Sequence, residues 1–468
     1  MNFVYFRTPK VSFILRNSFP KARNFSIDRA VSSISSTLQN PTKNKKERLV
    51  ILGSGWAGFK LIKGINKNLY DVTIISPRNY FVFTPLLAST SVGTLEFRSI
   101  VEPVKSHAKH AAVYEAFCEK IDMDKRELVC KSNLSDKNEE FRLSYDKLVI
   151  AVGAKSNTFN IPGVMEHGLF LKEIKDAQKI RARVIECFEM ASQPGISNER
   201  QQSLLHFAVV GGGPTGVEFS AELTDFIKDD LAYLYPNLMD KVRVTVYDIA
   251  PKILSSFDSS LSDYATKKFI RRGIEIRTGA MIQEVNKDNL IIKGQGKEPY
   301  GMLVWATGLT ENPLIKTLET LAKGNGQRLL TDDKLRVIDV ASQKPIENIY
   351  AIGDCATIKN YDLPATAQVA NQKGIYLRKA LNKIAKDGNG ELVQPFSYKH
   401  MGSQAYIGGW RAIVELGDGT STAKQSGLLA WLFWRSAYFT MSVSWKNKTL
   451  IPMYWFLTWI FGRDISRF

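Results

Sequence analysis

At 468 residues the chain is too long for one ordinary domain, and its 44% hydrophobic and 23% charged content is that of a globular protein with a core, which excludes disorder as the main state. The net charge of +17 is uneven: residues 1–46 hold nine Lys and Arg against the single acid Asp28, and no nucleic-acid partner is expected. No apolar stretch reaches the roughly 18 residues of a spanning helix, which excludes a simple transmembrane segment.

The lead segment, residues 1–46, is rich in Ser and Arg, and its apolar run at 11–15 is too short for a signal-peptide core. That composition predicts a mitochondrial presequence, with a disordered basic tail as the alternative; Arg23-Asn24-Phe25-Ser26 resembles a matrix-protease cleavage site. Residues 48–52 then read as a buried strand running into Gly53-Ser54-Gly55-Trp56-Ala57-Gly58, a helix-compatible run and a second strand at 71–76. This is a βαβ unit with a glycine turn. A strand at 147–152 runs into Gly153-Ala154. The first arrangement recurs as a strand at 206–210, the turn Gly211-Gly212-Gly213-Pro214-Thr215-Gly216, a helix over 217–227 and a strand at 242–247. Residues 302–305 lead into Ala306-Thr307-Gly308, and 348–352 into Gly353-Asp354, followed by an Ala/Gln-rich helix from about 365. Polar stretches at 132–140 and 193–203 read as loops, and 386–390 as a turn. The fold class expected is α/β, with two Rossmann-type dinucleotide-binding domains. The first, over 47–165 and 331–395, is interrupted by the second, over 166–330, and a C-terminal region follows over 396–468.

In each fingerprint the first glycine permits the tight turn, the second lets the backbone approach a diphosphate, and the third lets helix and strand pack closely. The diphosphate rests at the helix N-terminus, where free N–H groups and the dipole favour negative charge. One match is weak evidence; two, each between a strand and a helix, are strong. Asp248 ends the second strand of the second unit, where a carboxylate accepts from both ribose hydroxyls and repels a 2′-phosphate, favouring NADH over NADPH. It lies 37 residues beyond Gly211 because of an insert at 228–240, and a surface acid is the alternative. The equivalent in the first unit is Ser76, in Ser76-Pro77-Arg78: its hydroxyl can reach a ribose and Arg78 supplies charge at the adenosine end, which suits an embedded cofactor. The Asp354 carboxylate can accept from a polyol such as the flavin ribitol, which makes non-covalent FAD the leading cofactor. Cys118, Cys130, Cys187 and Cys355 show no C-x-x-C or metal-ligand spacing, so neither a thiol redox pair nor a metal site is expected.

The run Asn79-Tyr80-Phe81-Val82-Phe83-Thr84-Pro85-Leu86-Leu87, both fingerprints, Gly353-Asp354 and Ala367-Gln368-Val369-Ala370 resemble the type II (alternative) NADH:ubiquinone oxidoreductases of mitochondria. The resemblance runs from about residue 49 to the C-terminus. It implies a first unit that holds FAD and a second that holds NADH. Gly53, Gly55 and Gly58 would then take the FAD diphosphate, with Gly153 at the next strand end. Thr84 would lie by the isoalloxazine and Asp354 on the ribitol, while Gly213, Gly216 and Asp248 would take NADH, with Gly308 closing that unit. Glu218 matches a glutamate near the nicotinamide, a dipole-favoured helix charge being the alternative; Ala367 and Gln368 would border flavin and quinone. Asn371 departs from the pattern, since many members carry a histidine there, and an amide cannot relay a proton by titrating near neutral pH. Bulk water or Glu218 would then have to supply protons.

Five of the eight tryptophans lie in the last 38 residues. Two aromatic, apolar stretches at 428–439 and 450–461, with Lys446, Lys448, Arg463 and Arg467 around them, have the composition of interfacial membrane helices. Packing onto the body, or a homodimer interface, is the alternative. The function expected is a non-proton-pumping NADH dehydrogenase passing electrons through FAD to ubiquinone, peripheral on the mitochondrial inner membrane and facing the matrix. Two competing readings are a sulfide:quinone oxidoreductase, which would need cysteines at the flavin, and a signalling flavoprotein resembling apoptosis-inducing factor.

Overall fold

Strands with no polar face build the two central sheets. Lys147–Ile150, His206–Val210 and Met302–Trp305 are buried at every position, the pattern of parallel strands covered on both sides. The computed structural model describes residues 46–134, 139–388, 393–417, 423–442 and 444–466. The expected presequence and its cleavage motif, part of the polar stretch at 132–140, and Arg467 lie outside these residues.

The first sheet has Glu47–Leu52 at its centre, paired in parallel with Tyr70–Ser76 on one side and Lys147–Ile150 on the other. Beyond Tyr70–Ser76 come Ala112–Asp122 and the antiparallel strands Glu127–Ser132 and Glu140–Ser144; beyond Lys147–Ile150 comes Pro345–Ala351, from late in the chain. The second sheet repeats the plan: His206–Val210 lies between Arg243–Asp248 and Met302–Trp305, with Leu169–Phe170 and Ile274–Thr278 at the edges, all parallel. In both, connections leave the central strand in opposite directions, and the crevice at such a switch point is where open α/β sheets bind ligands.

The chain passes between the sheets at Lys155–Ser156 and returns at Leu309–Thr310, and the two crossings pair with each other antiparallel. The expected limits of the inserted unit, 166 and 330, therefore both lie too far along the chain. Val164 already packs in the core of the second sheet, while Leu314, Ile315, Leu318 and Leu321 pack with Val50, Leu52 and Ile150 of the first. The helix Pro313–Lys316, capped by the Asn312 side chain, turns two of these leucine-like positions inward immediately after the return crossing.

Helices end where their sequences dictate. Pro214–Phe226 starts at a proline that needs no amide partner, three residues before the expected start. Ala367–Asp387 begins at the Thr366 cap and stops at Gly388, whose φ of 69° is the left-handed conformation of a helix terminator. The stretch 193–203 is not all loop: Ser197 caps the helix Asn198–Leu204, a start signal that outweighs the polarity of the segment. The insert at 228–240 is helical, continuing Pro214–Phe226 through a π-turn, Ile227–Leu231, and then Ala232–Leu234 and Pro236–Lys241.

The C-terminal region is a three-stranded antiparallel sheet, Ser403–Tyr406, Ala412–Leu416 and Ala423–Gly427, followed by the helices Leu428–Met441 and Trp445–Phe461. One face of each helix packs on the body through Trp431, Trp434, Tyr438, Ile451 and Trp455; Leu429, Phe433, Phe456, Trp459 and Phe461 are exposed. Arg463, expected among the flanking cations, is instead drawn inward to Asp230 at 2.6 Å, with Nε donating to Thr94 at 3.0 Å.

Candidate active site

Two glycine turns of the same construction open at the carboxyl ends of the two sheets. Gly53 has φ 104° and Gly211 has φ 118°, values that L side chains rarely adopt, and a Cβ would come within 2.3 Å of the Ala151 carbonyl or 2.4 Å of the Ala306 carbonyl. At Gly58 a Cβ would meet Gly53 O at 2.0 Å, and at Gly216 it would meet Gly211 O at 1.9 Å. The middle glycines differ in kind: nothing lies within 4 Å of a Cβ on Gly55 or Gly213. That open direction at a helix N-terminus is the space a diphosphate needs, so both turns fit a dinucleotide. Gly153 and Gly308, at the neighbouring strand ends, are equally open.

Around the first turn, Trp56 donates its indole N–H to Thr84 Oγ1 at 2.9 Å and packs edge-on to Phe81, so the Asn79–Leu87 motif is tied to the glycine helix. Gly353 sits against Ala57, and the helix Ala367–Asp387 comes so close that a Cβ on Gly374 would lie 2.4 Å from Ala57 O. Asp354, in the turn at Gly353–Cys355, is held above the usual carboxylate range by burial, against the opposing pull of Lys172, Arg328 and Lys373. Lys373 is itself buried, and desolvation lowers it to about 8. Ser76 does not have the free hydroxyl expected of it: its Oγ lies 2.8 Å from Ser54 Oγ and both are buried, so it pins the glycine turn. Arg78 pairs with Glu173.

In the second unit the corresponding pin is Asp248. Its Oδ2 accepts from the Gly212 amide and its Oδ1 from the Ala250 amide at 2.7 Å. The carboxylate is thereby fixed at the lip of the turn.

Glu218 and Gln368 hold opposite ends of one strand. Gln368 Nε2 donates to Gly402 O at 2.9 Å, while its Oε1 accepts from the Tyr398 hydroxyl at 2.8 Å and the Met401 amide at 3.1 Å. At the other end of Ser403–Tyr406, the Tyr406 amide donates to Glu218 Oε1 at 3.1 Å. Burial pushes Glu218 up to about 8, against the hydrogen bonds from Tyr406 and Trp434. Glu222, one turn on, is also raised by burial and accepts from Ser89 at 2.7 Å and Thr94 at 2.8 Å. Glu218 is thus not a solvated charge at a helix start. Asn371 Oδ1 is buried without a partner, and Ala367 is half-buried at the start of its helix.

The cysteines depart from the expectation in one respect. Cys118 and Cys130 face each other in register on adjacent antiparallel strands, both as free thiols, a pairing that spacing along the chain cannot reveal. Cys355 is buried, with its thiol directed at the Ile352 carbonyl at 3.3 Å, and desolvation pushes it up to about 11. A thiol held neutral in this way is a poor nucleophile.

The pyridine nucleotide-disulphide oxidoreductase family matches residues 47–374, and the NDH2 C-terminal domain matches residues 400–464. The chain is 43% identical over 455 residues to a mitochondrial protein of Arabidopsis thaliana named internal alternative NAD(P)H-ubiquinone oxidoreductase A1, covering 91% of this chain and 87% of that one. It is 42% identical to a Solanum tuberosum protein of the same name, covering 98% and 95%. NDH2 of Plasmodium falciparum, solved in complex with NADH, matches with a TM-score of 0.84 at 32% identity, covering 90% of this chain and 100% of that one. The chain belongs to the type II NADH dehydrogenase family. A sulfide:quinone oxidoreductase of Aquifex aeolicus shares the fold, with a TM-score of 0.64 at 17% identity, and the likeness goes no further than architecture.

Several groups of this type II dehydrogenase were not singled out in its sequence. Tyr406, Trp434, Glu222 and Lys373 surround the candidate residues and belong to no short motif, and Trp56 lies in the first fingerprint at a position that the glycine pattern leaves open. The one available signal was helical spacing: Glu218, Glu222 and Asp225 share one face of Pro214–Phe226, and carboxylates repeated on a buried helix face call for partners.

Proposed function

We propose that the protein is a non-proton-pumping NADH:ubiquinone oxidoreductase that holds FAD non-covalently and works as a peripheral protein of the mitochondrial inner membrane, on its matrix side. The observation that carries this reading is the pair of matched glycine turns, each closed by backbone at two glycines and open at the third. When bound, FAD supplies the redox chemistry, taking a hydride from NADH and passing two electrons on to the quinone.

Gly53, Gly55 and Gly58 hold the FAD diphosphate, with Gly153 beside it, Thr84 toward the isoalloxazine and the Asp354 carboxylate toward the ribitol. Gly213, Gly216 and Gly308 receive NADH, and Asp248 selects a 2′-hydroxyl over a 2′-phosphate. Ser76 acts through Ser54, by fixing the turn. Glu218, raised to about 8, keeps a proton at neutral pH and holds it on a carboxyl beneath Trp434, where Asn371 cannot. Gln368 uses its whole amide to hold the segment at 398–402, which makes it a positioning residue for the quinone side, with Ala367 beside it.

No helix among the described residues is long and apolar enough to cross a membrane. The proposed attachment uses the exposed apolar faces of the last two helices, which lie in the interface and also serve a homodimer. The names of the plant relatives, which place them in mitochondria, support the location. Stopped-flow absorbance of the purified protein tests the reading: NADH should bleach the flavin band, a soluble quinone should restore it rapidly, and sulfide should leave it unchanged. A protein that stays colourless after reconstitution with FAD, or that is bleached by sulfide alone, defeats it. Slow reoxidation by quinone with a long-lived charge-transfer band would favour a signalling flavoprotein.

A further inference from the structure

A shallow, open pocket of about 250 Å³ lies between the two C-terminal helices, lined by Arg435, Ser436, Phe439, Thr440, Pro452 and Trp455. The guanidinium carbon of Arg435 is 4.3 Å from the ring centres of both Trp431 and Trp455 and 5.7 Å from that of Trp410. Stacking on indole faces fixes the plane of the cation but satisfies none of its N–H donors. Nε is buried without a hydrogen-bond partner, and among the described residues no carboxylate lies within ion-pair distance of this side chain. Glu222 acts on it only through space and is engaged by Ser89 and Thr94.

An oriented, unpaired guanidinium is complementary to a planar or tetrahedral oxyanion. The rest of the pocket is different in character: Phe439, Pro452 and Trp455 offer an apolar wall, next to a helix face that leaves Phe433 and Phe456 exposed. An anion with a hydrocarbon tail satisfies both parts, and neither a free inorganic ion nor a neutral lipid does. We propose that this pocket binds the phosphodiester of an anionic phospholipid, Arg435 taking the phosphate oxygens and the Phe439 wall taking the start of the acyl chains. The site rests on the membrane attachment proposed above, because that is what brings such a lipid to it.

Tryptophan fluorescence reads the site directly, since Trp431 and Trp455 stack on the cation. The flavin-loaded full chain is titrated with dihexanoyl-phosphatidylglycerol below its micellar concentration, and in parallel with dihexanoylglycerol and with inorganic phosphate. The expected result is saturable binding of the phospholipid at least about tenfold tighter than either control, weakened about tenfold or more in Arg435→Gln and only partly restored in Arg435→Lys, whose ammonium keeps the charge without the planar fork. Equal binding of phosphatidylglycerol and dihexanoylglycerol by the unaltered protein overturns the proposal. So does undiminished binding by a flavin-retaining R435Q, or saturation by inorganic phosphate at the same concentration. Flotation with phosphatidylglycerol vesicles separates the two ideas: absence of vesicle binding rejects the membrane attachment, whereas the titration of dissolved lipid judges the pocket alone.

Discussion

The indole N–H of Trp434 lies 3.4 Å from Glu218 Oε1, so a residue of the penultimate helix closes over the carboxyl that the second dinucleotide unit contributes to the site. The same oxygen accepts the Tyr406 amide. The C-terminal region therefore completes the surroundings of Glu218.

Glu218 should impose a pH dependence of definite sign. Its value in the folded protein, about 8, lies above the ~4.3 of an ordinary glutamate, so the neutral acid supports folding fully below the ordinary value and that support is lost as pH rises through about 8. Glu218→Gln cannot titrate, so the melting temperature of the wild type relative to this variant should fall across that window and level off above it. Quinone reduction at neutral pH should drop about a hundredfold in the variant, with flavin reduction by NADH much less affected. Parallel melting profiles would assign the ionisation to another group.

The glycine turns give a two-by-two test. Gly58→Ala and Gly216→Ala place a methyl 2.0 Å and 1.9 Å from a backbone carbonyl, which cannot move aside without deforming the turn. G58A should purify without flavin, and G216A should be yellow but unreduced by NADH. Gly55→Ala and Gly213→Ala meet no protein atom within 4 Å, so both should fold with near-native melting temperatures and lose only ligand affinity. Unfolding of G55A would contradict the role given to that opening.

Asp248→Asn removes the charge and keeps an acceptor oxygen for one of the Gly212 and Ala250 amides, its NH2 facing the other. The preference for NADH over NADPH, measured as the ratio of kcat/KM values, should fall by about tenfold, mostly through a better KM for NADPH. An unchanged ratio would mean that the ribose is read elsewhere.

Trp445 is 84% exposed and Trp459 66% exposed, whereas Trp434 is buried. Trp445→Ser and Trp459→Ser should each weaken vesicle partition by about tenfold without altering quinone reduction in detergent, since each removes a ring from the side proposed to face the lipid. Vesicle binding that survives loss of both rings would locate the attachment on another surface.

The parts of the fold legible in sequence were those set by local chemistry. His206–Val210 and Met302–Trp305 announced themselves as apolar runs ending in glycine, and Thr366 and Gly388 mark a helix by the conformations that their side chains favour or permit. What escaped depends on distant partners. Cys118 and Cys130 are opposed by strand register, Ser76 is occupied by a hydroxyl 22 positions away, and Arg463 is claimed by Asp230, 233 positions earlier. Glu218 was legible as a candidate, but its burial was not, because Tyr406 and Trp434 arrive from the far end of the chain.

The paired crossings at Lys155–Ser156 and Leu309–Thr310 bring the two ends of the inserted unit side by side. A unit whose entry and exit coincide can be cut out and its stumps joined by a short turn, or exchanged for another of like ends, without unthreading the host sheet. A graft between these two strands would leave the host sheet threaded, provided that it also met the host groups that hold Glu218, Glu222 and Asp230.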